Sequence, residues 1–383
     1  MFFFSDHRCN FPKGKIQLQT ACPFYEPGNE VQGVIYLEIM EPVYAHHIEM
    51  EVKGGEKCSF TRFWTESERH GDETRFVERH EKLKHSKKFL EFKPSVFDIQ
   101  GSYGGVLQPG IYQVDFQMKL PDHIPSSLHF KDHHSREKPK AKVKYYVKVV
   151  LKTHDKHDEM KYKQVLIIRE KPVAFRTGDA QAETSHLKTW CCIDQGTSTM
   201  SSVFEKNQYL PTEVAKGFVR INNEHCQLNA HRVSFYVEQR LTVHIGHHSH
   251  THVARLVNNT MEGPHAGAAH WEQEMMLNLG AIKYEVVKEK KKKGVMKAVS
   301  PEDAFMMAGV QPATHGKKVT NEYFLCVLVE YAGCVCCVNL PDSRMPLTII
   351  PIVNPACFGF QPPNGWAPMP LGSTHITLTH HHD

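Results

Sequence analysis

Histidine gives this sequence its most visible potential for metal chemistry, at 27 of 383 residues. The densest group is residues 246–252, which read Gly-His-His-Ser-His-Thr-His. Neutral imidazole is the commonest side-chain ligand of transition metals, and on an extended segment His248, His250 and His252 would share one face. The alternative is a polar loop in a histidine-rich chain. We favour that alternative here and at residues 380–382, and predict no tightly bound metal.

The eleven cysteines form the second group with chemical potential. Residues 334–337 read Cys-Val-Cys-Cys, which lacks the Cys-x-x-Cys spacing of a zinc site. Cys334 and Cys336 would share one strand face, and we expect that face in the core. Cys191 and Cys192 also follow an apolar residue, Trp190. Apolar surroundings and an odd count favour reduced, buried thiols over a disulfide framework.

No spacing in the sequence assembles a catalytic site. There is no Gly-x-Ser-x-Gly turn and no His-Glu-x-x-His motif. Gly309, Gly316, Lys317 and Lys318 do not fit the Gly-x-x-x-x-Gly-Lys-Ser/Thr pattern of a phosphate-binding loop. We therefore predict a protein that is not an enzyme and needs no cofactor.

A short basic run could contact anionic lipid headgroups. Lys290, Lys291, Lys292 and Lys293 are consecutive, and each basic residue near such a membrane contributes about 1 kcal/mol. Four lysines are few for this purpose, and a solvated loop is the alternative. The net charge of +4 is mild, so nucleic acid is not an expected partner.

The elements that carry these residues are organised as a repeat. Residues 25–37 begin Tyr-Glu-Pro and continue, after a turn, as Glu-Val-Gln-Gly-Val-Ile-Tyr-Leu. Residues 209–221 begin Tyr-Leu-Pro and end Glu-Val-Ala-Lys-Gly-Phe-Val-Arg-Ile. An alternating segment follows each copy, at residues 48–53 and 233–238. One unit used twice predicts two related domains in tandem.

Period-two alternation dominates the rest of the chain. Residues 143–151 place valine, tyrosine and leucine on one side and mostly lysine on the other, as in a strand with one buried face. Many short strands with closely spaced glycine and proline turns predict an all-β fold of two tandem immunoglobulin-like β-sandwiches. Residues 66–89 are highly charged and are expected to form either a long hairpin or a short helix.

Composition and turn signals divide the chain. We expect a first β-sandwich at residues 1–172, a polar linker at 173–188, a second β-sandwich at 189–352 and a tail rich in proline and glycine at 353–383. Residues 247–270 and 288–318 are expected to be long surface loops, where binding residues often lie.

The first residues of the sequence and the lengths of its apolar runs indicate the cellular compartment. The apolar run at residues 1–4 is too short for a signal-peptide core and has no basic lead. No run approaches the roughly 18 apolar residues of a membrane span. We expect a cytosolic protein, peripheral to membranes or to the cytoskeleton if it is attached to either.

Four segments, in the right order, resemble arrestin domains. The segment Tyr-Glu-Pro-Gly-Asn-Glu-Val-Gln-Gly-Val-Ile at residues 25–35 is similar to the start of an arrestin N-domain. The Leu-Pro-Asp-His-Ile-Pro-Ser-Ser of residues 120–127, followed by the strand Tyr-Tyr-Val-Lys at 145–148, is similar to the same domain. Residues 322–331 and 346–352 are similar to the last strands of an arrestin C-domain. The resemblance covers about residues 10–352.

The resemblance implies a non-enzymatic adaptor that binds cytoplasmic parts of membrane proteins and trafficking machinery. Arrestins can hold an inactive state through buried charges between their domains, one of them an arginine on the last N-domain strand. Arg169 falls at that place, and Glu302 and Asp303 are candidate partners. A strand-end arginine facing water is the alternative that we favour. Residues 362–366, Pro-Pro-Asn-Gly-Trp, lack the Pro-Pro-x-Tyr ligase-recruitment motif of many arrestin-domain proteins.

Two functions are compatible with these observations. The first is a trafficking or signalling adaptor that binds peptides through a sandwich edge or face. The second is a structural subunit built stably into a large cytoskeletal or ciliary assembly. The tail bears on both, because Phe358, Phe360 and Trp366 are costly to leave in water. We expect these aromatic residues to dock either on the chain's own sandwiches or on a partner.

Overall fold

The computed structural model describes residues 10–70, 73–190, 192–283, 289–290, 296–297, 309–335, 339–352 and 359–377. The chain divides into two units. The first comprises residues 1–171, 289–305 and 353–383, and the second comprises residues 172–288 and 306–352. Nearly all regular structure is β-strand, which confirms the predicted all-β fold.

Besides two two-residue strands in residues 289–305, the first unit contains twelve of the described strands, one α-helix and one turn of 3-10 helix. The helix α1 spans Ile99–Tyr103 and the 3-10 turn spans Lys156–Asp158. The strands are β1 Asn10–Phe11, β2 Gly14–Thr20, β3 Glu30–Ile39, β4 Val43–His70, β5 Glu73–Phe92, β6 Ser95–Asp98, β7 Val106–Leu107, β8 Gly110–Lys119, β9 Leu128–Lys131, β10 Lys140–Thr153, β11 Met160–Leu166 and, from the tail, β24 Met369–Thr377.

Two sheets form the first unit. One has the order β1-β2-β3-β8-β24, and the other has the main path β11-β10-β4-β5, with β6 and β7 paired to β4 and β9 paired to β10. Most of their inward side chains are apolar and buried, among them Leu18, Ile35, Met50 and Tyr145. Strands β4 and β5 extend as an antiparallel hairpin from Val52↔Phe92 to His70↔Glu73, so residues 66–70 and 73–89 belong to the long hairpin and not to a short helix.

The second unit contains ten of the described strands and a 3-10 turn at Leu279–Ala281. The strands are β12 Thr177–Thr189, β13 Ile193–Lys206, β14 Gln208–Tyr209, β15 Val214–Asn222, β16 Ala230–Ile245, β17 His248–Met261, β18 Trp271–Asn278, β21 Thr314–His315, β22 Val319–Tyr331 and β23 Asp342–Ile349. They form sheets of order β12-β13-β15-β18 and β14-β23-β22-β16-β17, with β21 paired to β22. Two-residue strands β19 (Glu289–Lys290) and β20 (Met296–Lys297) pair separately.

The two copies of the sequence repeat occupy equivalent positions. Tyr25 forms a parallel bridge to Ile168, just after β11, and Tyr209 pairs in parallel with Ile349 at the end of β23. Strand β3 then lies between β2 and β8, as β15 lies between β13 and β18. Both tyrosines are buried. The repeated motif therefore specifies the same turn from one sheet to the other in each sandwich.

The glycine of each motif copy lies close to an aromatic ring. Gly33 pairs directly with Phe116 on β8, and a Cβ at Gly33 would clash with that ring and with the carbonyl of Gln19. A Cβ at Gly217 would lie 3.5 Å from the ring of Phe235. A strand glycine often marks such close approach.

The expected division of the chain differs from the structure in three segments. Residues 248–261 were expected in a long surface loop but form β17, which pairs along its length with β16. Residues 177–188 were expected in a linker but belong to β12, which pairs along its length with β13. The side chains of β12 are mostly polar and exposed, so the ladder of backbone hydrogen bonds holds the strand without an apolar pattern to reveal it. Residues 369–377 of the expected irregular tail form β24.

Candidate interaction site on the first unit

The tail crosses the outer face of the five-stranded sheet. Gly359 bridges Gln19 at the free edge of β2, and the amide of Phe360 donates to the carbonyl of Leu18 at 2.9 Å. From there the chain reaches the opposite edge, where β24 pairs with β8. Residues 361–368 can span roughly 26 Å, which exceeds the roughly 19 Å of four strand spacings. The tail therefore holds both edges of one sheet.

Three aromatic rings anchor this crossing. Tyr36 points outward from β3, and its ring centroid lies 5.5 Å from Phe360 and 5.6 Å from Trp366. Phe360 and Trp366 meet edge to face at 4.9 Å. Only 7% of Tyr36 is exposed, although its place in the strand alternation faces away from the core. The cluster is a small apolar contact outside the sandwich interior.

The polar groups of Tyr36 and Trp366 differ in their hydrogen bonding. The hydroxyl of Tyr36 donates to Oε1 of Gln19 at 3.0 Å. Burial, and secondarily the carboxylate of Asp115, raises the pKa of Tyr36. The indole nitrogen of Trp366 is buried without a hydrogen-bond partner among residues 10–377 that are described. An unsatisfied donor costs about 1–3 kcal/mol, so the tail docks less tightly than its aromatic area alone would allow.

Strand β24 extends the sheet by parallel pairing. Its register runs from Met369↔Tyr112 to Thr377↔Lys119, with an irregularity between Pro370 and Gly372. Proline lacks an amide hydrogen and is compatible with the start of an edge strand. Near the other end the side chain of Ile376 is 3% exposed, so it fixes the register by burial.

A polar cleft lies beside this added strand. It has a volume of about 570 Å³, and its walls come from β2, β3, β8 and β24. Its polar lining comprises Gln19, Gln32, Asp115, Gln117, Ser373 and His375. The imidazole of His375 lies 3.9 Å from Glu30, whose carboxylate also accepts from the amide of Gln117. Amide and carboxylate side chains of this kind suit hydrogen bonding to an extended peptide.

The second unit shows the same edge without an added strand. Strand β18 occupies the position of β8, and it is the last strand of its sheet among the strands that the structure describes. An exposed edge presents unpaired amide and carbonyl groups that another chain can pair with. The tail strand is thus a specific addition to the first unit.

Arg169 lies at the end of the segment that follows β11. Its backbone amide donates to the carbonyl of Tyr25 at 2.9 Å, and its guanidinium lies 4.4 Å from the ring centroid of Phe24. Its suggested acidic partners, Glu302 and Asp303, lie outside the described residues. Its assignment as a contact between domains stays a prediction.

Two serines of the Leu-Pro-Asp-His-Ile-Pro-Ser-Ser motif hold this segment. Ser127 donates its amide to Ile168, and its hydroxyl accepts the amide of Ile168 at 3.0 Å. Ser126 and Glu170 exchange a similar pair of bonds at 3.0 and 2.8 Å. Both serines are buried. Their hydrogen bonds fix the backbone of Ile168 and Glu170, the residues on either side of Arg169.

The other candidate residues are dispersed. Lys290 lies in β19, whereas Lys291, Lys292, Lys293 and Phe358 lie outside the described residues. His248, His250 and His252 share one side of β17, and no group of three potential metal ligands converges within the described part of the chain. The expectation of a buried Cys334 is wrong, because this residue follows the end of β22 in an exposed turn. Cys192 is also exposed.

Sequence comparisons identify the family. The family described as arrestin (or S-antigen), N-terminal domain, matches residues 14–173, and the corresponding C-terminal domain matches residues 194–354. Together these matches cover most of the chain, which belongs to the arrestin family. Proteins of this family generally act as trafficking or signalling adaptors, bind other proteins and are not enzymes.

Two curated relatives are distant. "Arrestin domain-containing protein A" of Dictyostelium discoideum is 26% identical over 211 residues, which is 55% of this chain and 35% of that protein. "Arrestin domain-containing protein 17" of Caenorhabditis elegans is 23% identical over 260 residues, which is 65% of this chain and 58% of that protein. The matches thus span only about a third to somewhat over half of these relatives. Within the described residues, no helix is long and apolar enough to cross a membrane.

Proposed function

We propose that this protein is a non-enzymatic adaptor that binds cytoplasmic segments of membrane proteins or trafficking proteins as an added strand on β8. Its own tail strand, β24, competes for that edge. The supporting observation is the parallel pairing of Met369–Thr377 with β8 in the first unit. An edge that accepts a strand from a distant part of its own chain also has the backbone geometry to accept one from a partner.

The chemistry of the tail contact fits a segment that can be exchanged. Its aromatic anchors lie on the outer face and are not part of the sandwich interior, so their release leaves both hydrophobic cores intact. The unsatisfied indole of Trp366 reduces the net gain of docking. Release would expose the β8 edge and Tyr36 together, and would remove the wall of the cleft that β24 contributes. A cargo segment with an aromatic residue ahead of an alternating stretch would match this surface.

The same proposal assigns the protein a compartment and gives roles to Arg169 and to the run Lys290–Lys293. The adaptor would work in the cytoplasm, with Lys290–Lys293 as a further basic contact to lipid and Arg169 as a polar contact between domains. The structural-subunit alternative predicts that Phe358, Phe360 and Trp366 insert into a partner. The described contacts of Phe360 and Trp366 with Tyr36 favour the adaptor instead.

Removal of residues 355–383 tests the proposal. The truncated and full-length chains would be screened against immobilised peptides from cytoplasmic segments of membrane proteins. A tail tethered in cis acts at a high effective concentration, so truncation should strengthen the binding of edge-pairing peptides by about 10–100-fold. Identical peptide profiles for the two chains would contradict the proposal. Loss of the chain from large native complexes after truncation would instead support the structural subunit.

A further inference from the structure

The outward face of the sheet β11-β10-β4-β5 carries an unusual concentration of lysine. Directly paired residues share a face of the sheet, so the register defines the set. Strand β10 contributes five lysines, β5 three, β4 and β11 two each, and β9 one. These residues, the lysine face, are Lys53, Lys57, Lys82, Lys84, Lys88, Lys131, Lys140, Lys142, Lys144, Lys148, Lys152, Lys161 and Lys163.

The charge on this face is far from balanced. On the same side of these described strands, the thirteen lysines and Arg69 are accompanied by four glutamates, Glu49, Glu51, Glu78 and Glu91. The face therefore carries a formal charge of +10, although the whole chain carries only +4. The remainder of the chain is net acidic. Positive charge is concentrated on one surface, and overall composition does not account for it.

The other sheet of the same unit provides an internal comparison. The outward positions of β2, β3 and β8 include Lys15 and Lys119 against Glu30, Glu38 and Asp115. That face has a formal charge of −1, and the tail lies across it. The two outer faces of one sandwich thus differ by eleven charges, which indicates different partners.

The lysines crowd one another at the centre of the face. Glu51 alone is approached by Lys53, Lys93 and Lys148. The ammonium of Lys163 lies 3.5 Å from the ring centroid of Tyr146. Partial desolvation there, together with the charges of Lys144 and Lys148, lowers the pKa of Lys163. Such repulsion is relieved when an anionic surface approaches.

The dimensions of the face suit a broad partner. From Lys140 to Lys152 strand β10 runs roughly 40 Å, and four adjacent strands are roughly 14 Å across. At the outward positions of these described strands, thirteen lysines stand against one arginine, Arg69 near the end of β4. Arginine is the usual choice for bidentate recognition of individual phosphates, whereas lysine is a hydrated point charge that attracts anions without fixed geometry. Nucleic-acid surfaces also interleave aromatic residues for stacking, and here Tyr146 stands alone among the outward residues of β10.

We propose that the lysine face binds an anionic phospholipid bilayer and holds the first unit against a membrane. The area, the excess of positive charge and the use of lysine match an extended sheet of headgroups better than a single acidic peptide. None of these lysines lies on the β8 edge, and none belongs to the run Lys290–Lys293. Membrane attachment through it goes beyond cargo binding, because it would persist without any cargo.

Vesicle sedimentation tests this inference with the full-length protein. The vesicles would contain phosphatidylcholine with about one-third phosphatidylserine, or phosphatidylcholine alone. Binding is expected only to the anionic vesicles and should weaken steeply with added salt. A variant with Lys57, Lys142, Lys144 and Lys161 changed to Gln should lose about 100-fold or more in partitioning, given the usual contribution of each basic residue.

A charge-matched control separates surface from net charge. Lys171, Lys188, Lys283 and Lys317 are exposed and lie off the lysine face, and their joint change to Gln removes the same four charges. This control should retain most of the binding. Equal losses in both variants, or no binding of the unchanged chain to anionic vesicles, would overturn the proposal. Binding of an acidic peptide such as polyglutamate without vesicle binding would assign the face to a protein partner instead.

Discussion

The indole ring of Trp366 stacks on the phenol ring of Tyr36, with the ring centroids 5.6 Å apart and 27° between the planes. One residue belongs to the tail and the other to the outer face of the first sandwich. Their contact lies midway between the two points at which the tail joins the edges of the same sheet. Stacking of Trp366 on Tyr36 therefore helps to hold strand β24 in place on the edge of β8.

Replacement of Trp366 by Ala should loosen the tail strand without unfolding the sandwich. An aromatic pair contributes about 0.5–1.5 kcal/mol beyond its buried area, so local opening of β24 should become about ten times more frequent. Hydrogen exchange measured by mass spectrometry on peptides covering residues 369–377 would report this change. Replacement of Phe76 by Ala, at a side chain that is 74% exposed on β5, is the control. Unchanged exchange in the Trp366 variant would contradict the anchoring role.

Ionisation of Tyr36 should report on tail docking. Burial raises its pKa, so the docked state favours the neutral phenol. The neutral phenol therefore stabilises the docked tail. This stabilisation is fully present below the ordinary tyrosine pKa of about 10 and is lost as the pH rises through the raised pKa of Tyr36. The tyrosinate absorption assigned by difference from Tyr36→Phe should therefore appear at higher pH in the full chain than after deletion of residues 355–383. Coincident titrations would show that the tail does not cover Tyr36.

The sequence predicted the sandwich cores better than it predicted the tail site. Tyr25 and Tyr209 occupy equivalent positions ahead of β3 and β15. The repeated motif specifies this because it combines turn chemistry with an apolar alternation that only one register satisfies. Tyr36 gave no such signal, because it occupies an outward position of β3. Its burial depends on Trp366, a residue 330 positions later in the sequence. Contacts of this kind form only in the tertiary structure, so the sequence around Tyr36 carries no periodic pattern that would predict them.

Polar strands and short turns escaped prediction for related reasons. Strand β12 is held by backbone pairing with β13, and its side chains carry little apolar pattern. Cys334 was expected in the core because it precedes an alternating cysteine, yet β22 already ends at Tyr331. Strand ends are set by where pairing stops, and one sequence does not reveal that point.

The two motif glycines should differ in their tolerance of alanine. A Cβ at Gly33 would clash with the carbonyl of Gln19 and with the ring of Phe116, whereas at Gly217 the nearest atoms lie 3.4 and 3.5 Å away. Gly33→Ala should lower the free energy of unfolding by about 1–3 kcal/mol. Gly217→Ala should lie near neutral, since it also reduces unfolded-state entropy. Chemical denaturation of both variants would check this, and equal effects would refute the packing argument.

Thiol reactivity should divide the described cysteines into two groups. Cys22, Cys192 and Cys334 are exposed, and Cys58, Cys226 and Cys326 are buried. Burial raises the pKa of Cys326 to about 11, so only about one in a thousand of these thiols is ionised at pH 8. Maleimide at that pH should modify the exposed group in the native protein and the buried group only after denaturation. Native modification of Cys326, detected by peptide mass spectrometry, would contradict its placement in the sheet.

The most direct test of the central claim uses the tail itself as a ligand. A fluorescent peptide of residues 359–377 would be titrated with the chain truncated after residue 354 and, separately, with the full-length chain. Competition by a tethered copy predicts saturable binding to the truncated chain and binding at least tenfold weaker to the full chain. The same peptide with Trp366 replaced by Ala should bind the truncated chain more weakly. Equal binding to both chains, or none to either, would contradict the claim that β24 occupies a strand-binding edge on β8.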